Sequence, residues 1–381
     1  MTVHSIRLYT LDFEVSIIQL HLKITLSVFL LIIFGLGTVN YINVSPDILR
    51  SERRFPASLP PLSFQTIISA EYMDIFEEYA ADNFVFREFF RSLRAVSVYG
   101  IFMQTDKEGL FFGSDGAGEF EAINVRSFEN VADKINIIAD GLYDINLFFS
   151  FIPDKSIYTN RVFPGFNAAL AEEILYGRLN SDIFTFIDLS SVMDINTFYR
   201  TDFHWDQISL AGVVDALGEK MNFVIDIGSY QINNFGSFEG VYVGQIALPI
   251  GYDVMSYFEL PHLRAYYLNS SNMTMELGAV YDYKRFFGLD PYDFFLSGAQ
   301  PLVILKNNYL PYERVLYLFR DSFSSSLAPL LSSAYSEIVL IDLRYIDIHT
   351  INRLIDFEPG SDALFLYSTQ VLNNSNFLLV W

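Results

Sequence analysis

The chain has 381 residues, 51% of them hydrophobic and 17% aromatic, enough for a large core and too apolar for a disordered chain. A formal net charge of -21 sets its surface against phosphate backbones and anionic lipid, so nucleic acid is excluded as the expected partner. It has no cysteine, which rules out a disulfide scaffold, a thiolate nucleophile and cysteine metal sites, and suits a protein exported without disulfide help.

Ile24 to Val44 carries no charged residue, and a membrane span needs about 20 apolar residues. The run is longer than the apolar core of a cleaved signal peptide, and no small-x-small site clearly follows it. A retained signal anchor is therefore expected at 24–44, after a cytoplasmic segment at 1–23. Arg7 and Lys23 precede the run together with Asp12 and Glu14, while Arg50, Arg53 and Arg54 follow it, so basic residues alone do not orient it. Residues 45–64 hold Pro46, Pro56, Pro60 and Pro61 and read as an extended linker. From Ala70 to Tyr99 the apolar spacing of three and four predicts two amphipathic helices broken near Asp82. Phe111 to Gly118 reads as a turn-rich corner.

Residues 65–381 are expected to form one α/β domain. Asn146–Ile152 and Ile183–Leu189 read as buried strands, as do Val315–Phe319, Ile338–Leu343 and Ala363–Tyr367. Asn167–Leu179 and Gln207–Asn222 read as helices between them. Strands apolar on both faces and separated by helices predict a mostly parallel sheet with helices on both faces. Phe223 to Asn308 breaks this rhythm; rich in Tyr, Gly and Asn, it reads as an insertion of irregular strands and loops.

Three of the five histidines, His204, His262 and His349, lie in this domain. In an extended segment, Asp202 and His204 share a face, so the carboxylate can fix one ring nitrogen and leave the other as a base. The same residues also suit a helix cap beside a packed surface histidine. Ser322 follows the strand Val315–Phe319 and precedes a helical run. A serine at such a turn is exposed at the carboxyl end of the sheet, beside helix amides that can stabilise an oxyanion. Ser322, Ser324, Ser325 and Ser326 equally suit a plain helix cap. No P-loop, dinucleotide fingerprint or histidine pair at metal-ligand spacing is present, so no cofactor or metal is expected.

Taken together, these segments resemble the DHHW family, a branch of the SGNH-hydrolase-like proteins related to the alginate O-acetyltransferases. The name motif aligns with Asp202-Phe203-His204-Trp205 in a Tyr-Arg-Thr context, and the serine block with Arg320-Asp321-Ser322-Phe323 followed by Pro329-Leu330-Leu331. Ile341 to Tyr345, Ile152 to Lys155, and Asp82-Asn83 with Arg87 fit the same pattern. The resemblance runs from about residue 50 onward. It implies a flavodoxin-like SGNH fold with Ser322 as nucleophile, His204 as general base and Asp202 as the acid that orients it. It implies further an O-acetyltransferase or esterase of the cell envelope acting on an exported polysaccharide, beside a membrane-bound O-acyltransferase. Arg344, Arg320 and Trp205 are the candidates for oxyanion or sugar contact; Arg344 can equally form a salt bridge, and Trp205 can equally pack beneath its loop. Two departures stand out: Phe203 replaces the first histidine of the motif, and Arg320 replaces a glycine common in the wider family. They favour a rival reading, a catalytically inactive glycan-binding or scaffold protein of the same fold.

Overall fold

A computed structural model describes residues 3–42, 46–61, 71–107, 109–159 and 166–380, with side chains from residue 19 onward except Glu71. Val44, the linker end at 62–64, the domain start at 65 and Ala70 lie outside the described residues. The chain divides into two compact units, Met1–Leu49 with Arg54–Leu93, and Arg50–Arg53 with Arg94–Trp381. The division does not follow the expected boundary between linker and domain, because four linker residues belong with the larger unit.

In the smaller unit, helix α1 runs from Val3 to Ile42, well beyond the run first noted. Its part from Gln19 to Ile42, 24 residues, is apolar and unburied. At 1.5 Å per residue that part extends about 36 Å, longer than the roughly 30 Å hydrocarbon core of a bilayer. Helices α2 (Glu71–Asp82) and α3 (Arg87–Ala95) break just after Asp82, where expected. The buried Asp82 accepts two 2.6 Å bonds from Arg54 and one of 2.8 Å from Ala57 N. Those hydrogen bonds outweigh burial and hold its carboxyl below the usual range.

The larger unit opens with hairpin strands β1 (Leu110–Gly113) and β2 (Gly116–Glu119), which form the turn-rich corner. Its main sheet takes β3 (Asn146–Ile152), β4 (Phe184–Phe186), β10 (Val315–Arg320), β11 (Glu337–Ile341) and β12 (Asp362–Ser368), all parallel. Beyond β11 it continues antiparallel through β9 (Leu302–Asn307), β7 (Leu263–Asn269) and β8 (Thr274–Gly278). The eight-strand order is β4-β3-β12-β10-β11-β9-β7-β8. The expected insertion is thus partly sheet: only β5 (Ile232–Phe238) and β6 (Asp253–Phe258) stand apart, as a hairpin pair. Consecutive antiparallel strands need only short turns and one buried face, so they escape a search for long apolar runs.

Helices cover both faces of the sheet. One face packs α6 (Ala211–Met221) and α8 (Ser324–Leu331) on Phe148, Leu316, Leu318, Leu340 and Leu364. The other packs α4 (Val125–Ala139), α5 (Ala168–Arg178), α9 (Ile348–Leu354) and the short α10 (Thr369–Leu372) on Phe149, Tyr317, Phe319 and Phe365. The alternation follows from the two-residue repeat of a strand. Each fully buried Leu or Phe there is stabilising by about 1.5–3 kcal/mol relative to exposure. Helices α4 and α9 were not expected from the sequence; both begin with an Asn or Asp cap, Asn124 accepting from Ser127 N and Asp347 from Thr350 N. The remaining helix, α7 (Val241–Ile246), follows β5 and lies beside the site.

Candidate active site

Parallel strands place their carboxyl ends on one edge, where ligands bind in open α/β sheets. Strand β10 ends at Arg320, and the turn Asp321-Ser322-Phe323 leads into α8. Asp321 is buried and pins this turn: one carboxylate oxygen accepts from Phe323 N at 3.1 Å, the other from Ser368 N at the end of β12 at 2.6 Å. Ser322 stays partly exposed at the rim. The Phe323 amide, bonded to Asp321, is occupied as an oxyanion donor in this arrangement.

The loop Tyr199–Trp205 crosses above. It is held by Asp253 of β6, whose carboxylate accepts from Arg200 N at 2.6 Å and Thr201 N at 2.7 Å. From below, the buried Lys155 at the end of β3 donates to the carbonyls of Ala117 (2.7 Å), Tyr199 (2.5 Å), Arg200 (3.2 Å) and Asp202 (3.2 Å). Burial pushes its ammonium down to about 8. Gly240 completes the cradle: a Cβ there would collide with the Thr201 backbone, so only glycine lets the two segments approach this closely.

On this loop His204 Nδ1 lies 2.8 Å from Asp202 Oδ1, and His204 Nε2 lies 2.9 Å from Ser322 Oγ. The carboxylate can only accept, so Nδ1 carries the proton, and Nε2 offers its lone pair to the serine hydroxyl. Asp202 is fully buried and His204 is 2% exposed. Burial works to raise the Asp202 pKa, but the bond from His204 and the charge of Arg53 overcome it and hold the carboxyl well below the usual range. Tyr292 lies flat on the imidazole, ring centres 3.6 Å apart and planes 7° apart, and its hydroxyl donates to Ser326 Oγ at 2.8 Å. Phe203 covers the ring at 4.0 Å and Phe323 at 5.0 Å. The imidazole is thereby locked in rotation with one nitrogen aimed at Ser322. Such an arrangement can withdraw a proton from the serine hydroxyl and return it to a leaving group.

The other candidates lie elsewhere. Trp205 is fully buried, donating to Phe323 O at 2.8 Å and Ser326 Oγ at 2.9 Å, so it packs beneath the loop and cannot stack on a sugar. Arg320 is also fully buried; it donates to Asp321 O at 3.1 Å and Ser325 Oγ at 2.9 Å, bracing the serine turn from inside, where no substrate reaches it. Arg344 grips the buried Asp342 with bonds of 2.9 and 2.7 Å, the salt-bridge alternative. His262 lies on Tyr309, and His349 sits in α9. Sequence reasoning missed Tyr292, Lys155 and Arg53 as parts of this site. The Ile152-Pro153-Asp154-Lys155 strand end was visible as a motif, but nothing local marks Tyr292 or Arg53.

No family model and no curated protein matches the chain. Solved structures do. A DHHW family protein from Eubacterium siraeum aligns at 16% identity with a TM-score of 0.58, covering 71% of this chain and 94% of its own. PatB1 of Bacillus cereus, solved with a sulfonyl adduct, aligns at 14% identity with a TM-score of 0.55, covering 71% and 98%. A second structure of PatB1 aligns at 14% identity with a TM-score of 0.54, covering 71% and 99%. The chain therefore has the fold that the DHHW family protein and PatB1 share.

Proposed function

We propose that the chain is a membrane-anchored serine enzyme of acyl transfer, an O-acetyltransferase or esterase acting on an exported polysaccharide. The observation that carries this reading is His204 placed between Asp202 and Ser322, at 2.8 and 2.9 Å. Ser322 Oγ attacks the acyl carbon of an ester donor while its proton passes to His204 Nε2. The imidazolium, stabilised by Asp202, then gives that proton to the departing alcohol, leaving an acyl-Ser322. A sugar hydroxyl or water, deprotonated by the same nitrogen, attacks the acyl carbon and frees the serine. The sulfonyl adduct named for PatB1 agrees with a fold that presents a nucleophile.

The apolar Gln19–Ile42 helix supports anchoring. Placement of the larger unit outside the cytoplasm follows from the missing cysteines and the family resemblance, and supply of the acyl group by a membrane-bound O-acyltransferase from the resemblance alone. A charge of -21 favours a neutral or zwitterionic glycan over a polyuronate. The burial of Arg320 away from the rim and the packing of Phe203 on the imidazole are both compatible with an active enzyme. The deciding experiment offers the purified chain an acetyl-ester donor with and without candidate glycans. Ser322-dependent ester loss with acetylated glycan supports transfer, and acetate release alone supports an esterase. Turnover unchanged in Ser322→Ala removes the enzyme reading. Protease added to intact cells tests topology: full protection of the larger unit until lysis overturns the outward orientation.

A further inference from the structure

Asp202 has two carboxylate oxygens, and only Oδ1 faces His204. Oδ2 accepts from Val241 N at 2.9 Å and from Arg53 Nη2 at 3.0 Å. The other arm of the guanidinium, Nη1, donates to Asp290 Oδ1 at 2.8 Å, and Nη2 also reaches Glu239 O at 3.2 Å. Arg53 comes from a stretch whose sequence reads as linker, yet its side chain is only 11% exposed. Its backbone has φ of 52°, a left-handed conformation that a non-glycine residue holds only when its surroundings impose it. Two residues earlier Ser51 is seated against Gly244 of α7, where a Cβ would collide with the Ser51 carbonyl. The turn Arg50–Arg53 is therefore docked on the larger unit, with Arg53 as its tip.

We propose that Arg53 is a positioning residue of the triad, which from the segment after the apolar helix holds the second oxygen of Asp202 and sets the charge that His204 meets. The proposal rests on the Ser322–His204–Asp202 reading. A guanidinium fork fixes the rotation of a carboxylate, and its positive charge opposes protonation of an imidazole one residue further along the relay. The other groups facing Asp202 are Lys155, bonded to its carbonyl, and the buried Tyr199 and Tyr242. Those facing His204 are Ser322, Tyr292 and the Asp293 carboxyl, which burial pushes up to about 6. Arg53 is the cation that bonds directly to the Asp202 carboxylate.

The test follows the rate at which phenylmethanesulfonyl fluoride labels the full-length chain in detergent, from about pH 5 to about pH 9, with Ser322→Ala as the control. Arg53→Gln is expected to slow labelling about 10-fold and to move the acid limb of the profile up by about one pH unit. Arg53→Lys keeps the charge and is expected to restore the limb to within about 0.3 unit. Asp290→Asn leaves Arg53 more fully on Asp202 and is expected to move the limb slightly down. Arg53→Gln with the wild-type rate and limb overturns the proposal. Should that variant fail to fold, an unmoved limb in Asp290→Asn overturns it. Wild-type protein that is not labelled, or labelling that persists in Ser322→Ala, defeats the triad reading itself, and the role of Arg53 with it.

Discussion

The five parallel strands and the three antiparallel strands of the main sheet bury their side chains differently. In β12 every residue is buried, and in β3 and β10 all but the first. In β8, at the far edge, four of five positions are exposed and none is buried. The parallel half is sandwiched between two helical layers, whereas the antiparallel half thins toward solvent. The candidate site draws on the parallel strands and on chain outside the main sheet, the β5–β6 pair and the turn Pro291–Phe294. Ser322 and Lys155 stand at the carboxyl ends of parallel strands, while Tyr292, stacked on His204, and Asp253, holding the loop, come from the stretch between 223 and 308. Ser322 is thus placed by the parallel strands, and the loop bearing His204 is held by Lys155 together with buried residues of the stretch between 223 and 308.

The largest effect separates the two roles. Ser322→Ala removes the proposed nucleophile without touching the packing that holds the turn, because Asp321 supplies the turn's bonds. Ester turnover is expected to fall at least about 10³-fold, with the thermal midpoint unchanged. A spectrophotometric ester assay beside a thermal melt checks both halves of this statement. A melting point that drops with activity would place Ser322 in the structure rather than in the chemistry.

Stability should divide along the same line. Leu364 is fully buried in the middle of β12, and Leu364→Ala is expected to cost about 2–5 kcal/mol. Leu277 in β8 is 62% exposed, and Leu277→Ala is expected to change stability by less than about 0.5 kcal/mol. Urea titration of the two variants measures the contrast. Equal losses would mean that the antiparallel strands carry as much of the core as the parallel ones.

Tyr292 ties the loop to the helix after Ser322, stacked on His204 and bonded to Ser326. Tyr292→Ala removes the ring that lies on the imidazole and the bond to Ser326, and a drop of about 10- to 100-fold in kcat is expected, with KM little changed. Tyr292→Phe keeps the stack and should lose no more than about fivefold. If the two variants are alike, the hydroxyl bond rather than the stack holds His204.

The same contrast explains what could be read from sequence. Strands such as Asn146–Ile152 lie between two helical layers, so their runs are almost wholly apolar, the buried Ser150 donating to Ile187 O, and the run and the strand coincide. Ser322, His204 and Asp202 were legible because a strand-to-helix turn and a two-residue spacing fix their local geometry, whatever the rest of the fold does. Strand β7 mixes Arg and Tyr with apolar residues, and β9, though it opens on the apolar run Leu302–Leu305, falls in the same Tyr-, Gly- and Asn-rich stretch, which reads from sequence as irregular strands and loops. Helix α4 hid for a related reason: Lys134 lies on its buried face, its ammonium satisfied by the carbonyls of Ser375 and Leu378. Arg53 was the least legible. Its role depends on a partner 149 positions away in sequence, and its own neighbourhood reads as a linker.

A further expected effect, beside the site loop, depends on pH. Asp206 follows Trp205 and caps a short turn by accepting from Ile208 N. Burial raises its carboxyl to about 7 against an ordinary value of 3.8, with the Asp253 charge of β6 adding to the shift. A raised acid binds its proton in the folded state while the unfolded chain has already lost it. Its favourable contribution is full below about pH 4 and is lost as pH rises through about 7. Asp206→Asn keeps the cap and never ionises, since Asn and Asp are comparable at that position. The variant is therefore expected to be more stable than the wild type by about 1–2 kcal/mol at pH 8 and equal to it near pH 4. Urea midpoints at the two pH values measure the difference. A gain at pH 4 as large as at pH 8 would show that the benefit comes from packing. No gain at either would mean that Asp206 stays ionised beside Asp253, its charge tolerated by the fold at no cost.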